Sequence, residues 1–388
     1  MPSPLLTREM LESFESSVRE LPEACTLPPE VYHREDFYAF EKEAVFGRDW
    51  LCLGREDQVP KPGDYRVIEI ADEPLILVRD QNSEIRVLSA VCQHRGMQVA
   101  EGEGNCKFFR CPYHHWVYGL DGDLRGAAQM EQTCDFSRED HGLPALAVEI
   151  WQGFVFASMA KNPEPLAPSL VELDPLLAHY DLTNTTTVDG KTLTDLPWNW
   201  KVMIENFNDP YHASRLHDPL QTFAPSGMSD FFEWREEMNH ISRIQRFTEI
   251  DGSFNPTKKA LLPVFPQLTE EERKQGLFVI VPPTLAIAIV PDLVAYFIIK
   301  PQGANGIEID IAYCFHQGAL EHEMFEPLFE MAQAGVDNFN VQDVWATTLV
   351  QKGLRSRFGP RGRYSWQEAT LPQFNRWLVR RYRDKWPT

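Results

Sequence analysis

Cys92-Gln93-His94 and Cys111-Pro112-Tyr113-His114 each offer one thiolate and one imidazole, with sixteen residues between His94 and Cys111. Four N and S donors drawn to one point tie this part of the chain into two loops facing a common centre. Short apolar runs separated by turns surround them: Trp50 to Gly54, Tyr65 to Ile70, Leu75 to Arg79 and Ile85 to Ser89. Pro60, Pro62-Gly63, Asp80-Gln81-Asn82 and Gly102 to Asn105 supply the turn residues, and Gly96 and Gly119 allow tight bends beside the donors. The expectation is a small all-β module built around a metal centre.

Tetrahedral zinc is one occupant such a donor set could hold. Zinc fingers, however, usually pair cysteine with cysteine and histidine with histidine along the chain, whereas each loop here mixes the two. Mixed loops suit a two-iron cluster with Cys on one iron and His on the other, the Rieske arrangement. Exchanging two anionic thiolates for neutral imidazoles lowers the cluster's negative charge and raises its potential, to about −150 to +300 mV. The bland alternative is four residues that pack a β-core. Cys106 lies between the pairs without a histidine at the matching offset, and Cys25, Cys52, Cys134 and Cys314 read as reduced core or surface residues.

A second concentration of metal-capable groups runs from Glu205 to His217, with Asn206, Asp209, His212 and His217 inside it. Five residues on an ideal helix advance about 140° beyond a full turn, so His212 and His217 can share one metal only where the backbone bends or leaves the helix. Asp209 and His212, three apart, share a face where the helix continues. The alternative is a plain helix start, with Asp209 as N-cap and Pro210 in the first helical position. Taken alone, the stretch leaves both readings open.

Composition excludes several classes. Lys and Arg total 37 against 57 Asp and Glu, a net charge of −20, which argues against nucleic acid and against an anionic membrane surface. No apolar window reaches the length of a membrane span, and the first residues lack a basic region followed by an apolar core, so a cytoplasmic location is expected. Seven cysteines in 388 residues are too sparse for a disulfide scaffold, and 43% hydrophobic content suits a two-domain globular chain. Pro163, Pro165, Pro168 and Pro175 mark a boundary between the modules.

Together, Cys92-x-His94-Arg95-Gly96, Cys111-x-x-His114-x-Trp116 and Glu205-Asn206-x-x-Asp209-x-x-His212-x4-His217 resemble the catalytic (α) subunit of the Rieske non-haem iron oxygenases, in that family's order and over nearly the whole length. The resemblance implies an α+β chain: an N-terminal helical arm (1–45) packing on the catalytic domain, an all-β Rieske [2Fe-2S] domain (46–160), and a helix-grip, START-like antiparallel-sheet catalytic domain (161–388). It implies one [2Fe-2S] cluster per subunit on Cys92, His94, Cys111 and His114, and one mononuclear Fe(II) on His212, His217 and a later carboxylate. Asp209 then corresponds to the aspartate that links His212 to the residue matching His114 on a neighbouring subunit of a head-to-tail homotrimer.

Glu323 to Gly335 and Asp337 to Gly353 read as helices. In the second, Asp343 precedes Gln351-Lys352-Gly353 as the family's carboxylate does, which implies Asp343 as third ligand. Asp337 is the competing choice, and two solvated helix carboxylates are the bland one. Trp198-Asn199-Trp200-Lys201 opens the helix carrying the iron motif. Ile241 to Glu249, Leu277 to Val281, Leu285 to Val290, Val294 to Lys300 and Ile307 to Phe315 read as strands of an antiparallel sheet, while Asp218 to Asp230 and Asp251 to Gln275 read as loops over a pocket mouth. Tyr211, Phe207, Phe223, Phe231, Trp234, Phe339 and Trp345 are candidate pocket aromatics, suited to an aromatic or an amine or betaine substrate.

No Gly-x-Gly-x-x-Gly fingerprint occurs, so electrons from NAD(P)H are expected through a separate reductase, with or without a ferredoxin. The expected reaction is O2-dependent monooxygenation, as hydroxylation or oxidative demethylation. Ring cis-dihydroxylation is the alternative. A Rieske electron carrier with a ligand-binding domain and a zinc-stabilised binding module are remoter ones.

Overall fold

The computed structural model describes residues 5–387 and divides the chain into two compact units, one of residues 47–164 and one combining 5–46 with 165–387. Residues 1–4 and 388 lie outside the described residues.

The second unit begins with the arm: helix α1 (Arg8–Ser13), capped by the Thr7 hydroxyl, and helix α2 (Glu35–Glu41), which runs into a wider helical turn over Lys42–Phe46. The arm is not an appendage. Glu41 is fully buried and accepts from Lys201 Nζ at 2.7 Å, from Trp200 Nε1 at 3.1 Å and from the Tyr382 hydroxyl. Removing either member of the Glu41–Lys201 pair leaves a charge buried alone, at a cost of about 3–5 kcal/mol.

Residues 47–164 form an all-β unit. Strands β1 (Leu51–Arg55), β2 (Asp64–Ile70), β3 (Glu73–Arg79), β4 (Ile85–Ser89), β5 (Glu103–Asn105), β6 (Phe109–Arg110), β7 (Val117–Tyr118), β8 (Leu124–Gly126), β9 (Ala147–Trp151) and β10 (Phe154–Ser158) make three antiparallel sheets, in the orders β1-β10-β9, β4-β3-β2-β5 and β6-β7-β8. Of the expected turn Gly102 to Asn105, Gly102 is left-handed at φ 60°, whereas Glu103 to Asn105 supply β5, in which Gly104 pairs with Tyr65. Ile76, Val78, Leu88, Phe109, Trp116 and Tyr118 form the core, and Cys92 and Cys111 are buried in it.

The larger unit continues through α3 (Asp174–Leu177), β11 (Thr186–Leu196), α4 (Trp200–Phe207), α5 (Pro210–Ala213), β12 (Ser229–Phe231), β13 (Ile241–Arg246), β14 (Gln275–Val281), β15 (Leu285–Val290), β16 (Leu293–Pro301), β17 (Ile307–Phe315), α6 (Gln317–Leu320), α7 (Phe325–Leu354) and α8 (Thr370–Lys385). Its seven-stranded antiparallel sheet has the order β11-β17-β16-β15-β14-β13-β12. β15 and β17 match the expected strands residue for residue: β15 is an unbroken run of Leu, Ala, Ile and Val, and β17 alternates buried Ile307, Ile309 and Ile311 with half-buried Glu308 and Asp310 before a fully buried end. Nothing in its sequence marks β11 as a strand. It is a mostly exposed polar edge whose pairing with β17 shifts twice, which erases the period-2 signal.

Residues 325–354 form one helix rather than two. Gly335 is not a stop: a Cβ there would collide with the Phe254 carbonyl and lie 2.6 Å from Asn255 Cα, so glycine lets the 251–258 segment lie against α7. Gln351 fastens the helix. Its Nε2 donates to the Tyr32 carbonyl at 2.9 Å and its Oε1 accepts from Asn199 N at 3.2 Å, beside the Asn199 side chain that caps α4. Among the described residues, no helix is long and apolar enough to cross a membrane.

One buried histidine makes this unit acid-sensitive. His240 Nδ1 meets Ser242 Oγ at 3.0 Å and its Nε2 has no partner, so burial, with Arg235 adding to it, lowers its pKa from 6.5 to about 4. Between those values the unfolded chain binds a proton that the folded chain refuses, so stability is lost as pH falls from 6.5 through 4. The expected contribution is about 2 kcal/mol at about pH 5. His240→Gln should therefore narrow the difference in thermal midpoint between about pH 7.5 and about pH 5. An unchanged difference would place the acid sensitivity elsewhere.

Candidate metal centres

The two loops of the small unit close in the same way. Cys92 N donates to Met97 O at 2.9 Å while Gly96 N donates to Cys92 O at 3.0 Å; Cys111 N donates to Trp116 O at 2.9 Å while His115 N donates to Cys111 O at 3.0 Å. The fourth residue after each cysteine is left-handed, Gly96 at φ 77° and His115 at φ 59°. Gly119, expected to serve the second bend, is not left-handed; its place is set by crowding from Asp121 and Arg125.

This repeated turn buries both thiols and leaves the imidazoles at the rim. His94 and His114 have ring centroids 4.5 Å apart, and His94 stacks on Trp116 at 4.8 Å. Cys92 Sγ lies 3.2 Å from the Tyr118 hydroxyl, which accepts from Gln93 N. Burial, reinforced by Cys92 alongside, pushes the Cys111 thiol up, and burial pushes His94 down. His94 Nδ1 is buried without a hydrogen-bond partner. Two adjacent buried sulfurs and an orphaned imidazole nitrogen are hard to reconcile with a plain β-core, and they fit a mixed-ligand two-iron cluster.

In the larger unit, Asp209 is indeed an N-cap and Pro210 the first residue of α5, so the plain helix start is real. It does not compete with a site. One Asp209 oxygen accepts from Tyr211 N, while the other lies 3.3 Å from His212 Nδ1. α5 ends after Ala213, the chain leaves the helix, and His217 has φ −110° and ψ 45°. That departure turns His217 back towards His212.

α7 brings Asp343 between them. Its Oδ1 lies 3.0 Å from His217 Nε2 and 3.5 Å from His212 Nε2, and the ligating atoms of the three side chains all lie within 4.8 Å of one another. Both Nδ1 atoms face outward, His212 to Asp209 and His217 to the Gln342 side-chain oxygen Oε1 at 2.6 Å, which frees both Nε2 atoms for a metal. Asn206 donates to Asp343 at 3.3 Å. Burial opposes charge on His212, but Asp209 and Asp343 outweigh it and raise its pKa to about 9. Burial likewise opposes charge on Asp343, but His212 and His217 hold it at about 2. Such a pocket favours positive charge between its imidazoles and carboxylates, and its donor set fits a two-His, one-carboxylate iron site. Asp337 stands apart, 2.6 Å from Lys191 Nζ. Behind the site, Tyr32 donates to Glu205, whose carboxyl burial pushes up to about 7.

The cavity over this triad is lined by Phe207, Phe254, Phe278, Phe297 and Phe339. Of the seven aromatics singled out in the sequence, Phe207 and Phe339 line it; Tyr211 and Trp345 face outward at 51% and 62% exposure, and Phe223, Phe231 and Trp234 are not on its wall. The expected loops contribute Leu220, Ser253 and Phe254. Gln342 and Arg243 went unnoticed, although adjacency to Asp343 could have drawn attention to Gln342.

Residues 183–384 match the model of the ring hydroxylating alpha subunit (catalytic domain), and residues 49–146 match the Rieske [2Fe-2S] domain. The chain is 38% identical over 213 residues to the salicylate 5-hydroxylase large oxygenase component of Ralstonia sp., covering 50% of this chain and 49% of that one. It is 31% identical over 212 residues to the carnitine monooxygenase oxygenase subunit of Acinetobacter pittii, covering 52% and 57%. The chain thus spans about half the length of the curated relatives it matches. In fold it is similar to naphthalene 1,2-dioxygenase from Rhodococcus sp. bound to indole, with a TM-score of 0.80 at 19% identity over 97% of this chain and 98% of that one. The chain belongs to the ring-hydroxylating alpha-subunit family, with a Rieske [2Fe-2S] domain ahead of its catalytic domain.

Proposed function

We propose that this chain is the terminal oxygenase of an O2-dependent monooxygenase, and that Cys92, His94, Cys111 and His114 hold its cluster while His212, His217 and Asp343 hold its iron. The observation that carries the reading is the convergence of two imidazole Nε2 atoms on Asp343 Oδ1 at the wall of an apolar cavity. Bound there, the cluster supplies single electrons and the iron a site for O2 reduction. The residues do the rest. Asp209 and Gln342 fix the two imidazoles, and the phenylalanine wall excludes water and seats an organic substrate beside the triad. In the balance, one oxygen atom enters a substrate C–H bond and the other leaves as water, with two electrons and two protons consumed.

The electrons come from NAD(P)H through a separate reductase, with or without a ferredoxin. A homotrimer supplies the short path, in which Asp209 joins His212 to His114 of the next subunit. The location is cytoplasmic; seven free cysteines suit a reducing compartment. Salicylate and carnitine, named in two relatives, bracket the substrate as a small aromatic or amine compound. Ring dihydroxylation is the second reading, favoured by the family's ring-hydroxylating catalytic model.

A single turnover of the reduced, iron-loaded protein with isotopically labelled O2 tests this. One labelled oxygen in the product, or release of formaldehyde, is expected. Two labelled oxygens would make it a dihydroxylating enzyme, and electron transfer without any oxygenated product would favour the electron carrier.

A further inference from the structure

The cavity over the triad contains one cation that the chain leaves unpaired. Arg243, on β13, is 5% exposed and lines the same cavity as His212, His217 and Asp343. Its guanidinium carbon sits 3.9 Å from the centroid of Phe278, its register partner on β14, within cation–π distance of the ring. Nη1 reaches Gln245 Oε1 at 3.3 Å, and Nε is buried with no partner. Among the described residues no carboxylate forms an ion pair with Arg243; Asp209 acts on it only through space. Burial pulls the guanidinium down to about 9, which still leaves it charged at neutral pH.

A buried cation without a counterion is costly, and proteins ordinarily pair such groups. Asp209 and Asp343 also line the cavity, but Asp209 is engaged by Tyr211 N and His212 and Asp343 by the two histidines, and Phe207, Phe254, Phe297 and Phe339 supply no anion. The missing partner is therefore something that enters the cavity. A carboxylate matches a flat guanidinium edge with two parallel hydrogen bonds, and the phenylalanines match an apolar body attached to it. A phosphate dianion would leave a charge that one arginine does not neutralise, and a ligand bearing only a positive charge would meet repulsion. We propose that Arg243 determines specificity by binding the carboxylate of an aromatic acid substrate. This rests on the cavity being the substrate site of the oxygenase proposed above.

The test is calorimetric binding to the iron-loaded full chain of benzoate, phenylacetate and 3-phenylpropionate, each against its own amide, with phenyltrimethylammonium as the cationic probe. Acids should bind about 10–100-fold more tightly than their amides. Arg243→Gln should erase that preference, and Arg243→Lys should keep part of it, which guards against a fold defect; retention of the mononuclear iron, whose donors lie in the same unit as Arg243, checks the fold directly. Equal affinity for acids and amides, tighter binding of the cation, no saturable acid binding, or a preference that survives Arg243→Gln overturns the proposal. Product analysis with labelled O2 separates the two readings. Acid preference without product defeats the oxygenase and leaves the binding residue, whereas product without acid preference defeats this inference alone.

Discussion

Asp343→Ala is expected to empty the mononuclear site while the cluster's visible spectrum keeps full intensity. Asp343 is the anionic member of the triad, and its Oδ1 is the atom on which both imidazoles converge. Losing it removes a ligand, so the fall in iron affinity should exceed the about 10–100-fold that follows loss of an outer-shell partner. Alanine is a good helix former and the site lies within the long helix α7, so the backbone should persist. Metal analysis beside the absorption spectrum decides the matter: two iron atoms per chain in the variant against three in the parent is the expected result. Retained third iron would assign the ligand to another carboxylate.

Asp209→Asn is expected to leave all iron in place and nearly abolish turnover. Asparagine caps a helix as well as aspartate does, so α5 should keep its start through the amide oxygen on Tyr211 N. What is lost is the negative charge and the second acceptor, the one facing His212 Nδ1. If Asp209 only oriented His212, the penalty would be modest and would appear in iron affinity. As the proposed link between His212 and a neighbouring chain's His114, its loss should instead block electron passage by about 100-fold or more at full metal content. The rate at which the reduced cluster reoxidises with substrate and O2 reads this step directly. A near-normal rate would remove Asp209 from the electron path.

How much of this was visible in the order of residues depends on the range of the interactions involved. The cluster loops were legible because each is closed by hydrogen bonds to its own cysteine within five residues. β15 was legible as a continuous apolar run, and β17 because Ile307, Ile309 and Ile311 alternate with Glu308 and Asp310 before an apolar end. The Asp209 cap and the need for the backbone to leave the helix before His217 were also local matters, readable from 3.6 residues per turn. Asp343 could be picked out only through the family's pattern, because nothing local separates it from Asp337; in the fold Asp343 faces two histidines and Asp337 faces Lys191.

The aromatic lining shows the limit. Hydrophobicity marked Trp345 and Phe339 alike, yet α7 turns the first to the surface and the second into the cavity. Phe278 and Phe297, on β14 and β16, stand on the cavity wall for a reason no spacing contains: which face of the sheet lies under the helices. Arg243 reads as an ordinary charge on a strand, and only packing reveals it as buried without a counterion. The sequence by itself therefore determined the two donor sets, the order of the modules and the strands with strong periodicity, since these rest on contacts between near neighbours. The tertiary structure alone decided which aromatics face the cavity, where a cation is left waiting and how Asp343, implied by the family's pattern, meets the histidines, since these depend on residues more than a hundred positions apart, such as His217 and Asp343, being packed together.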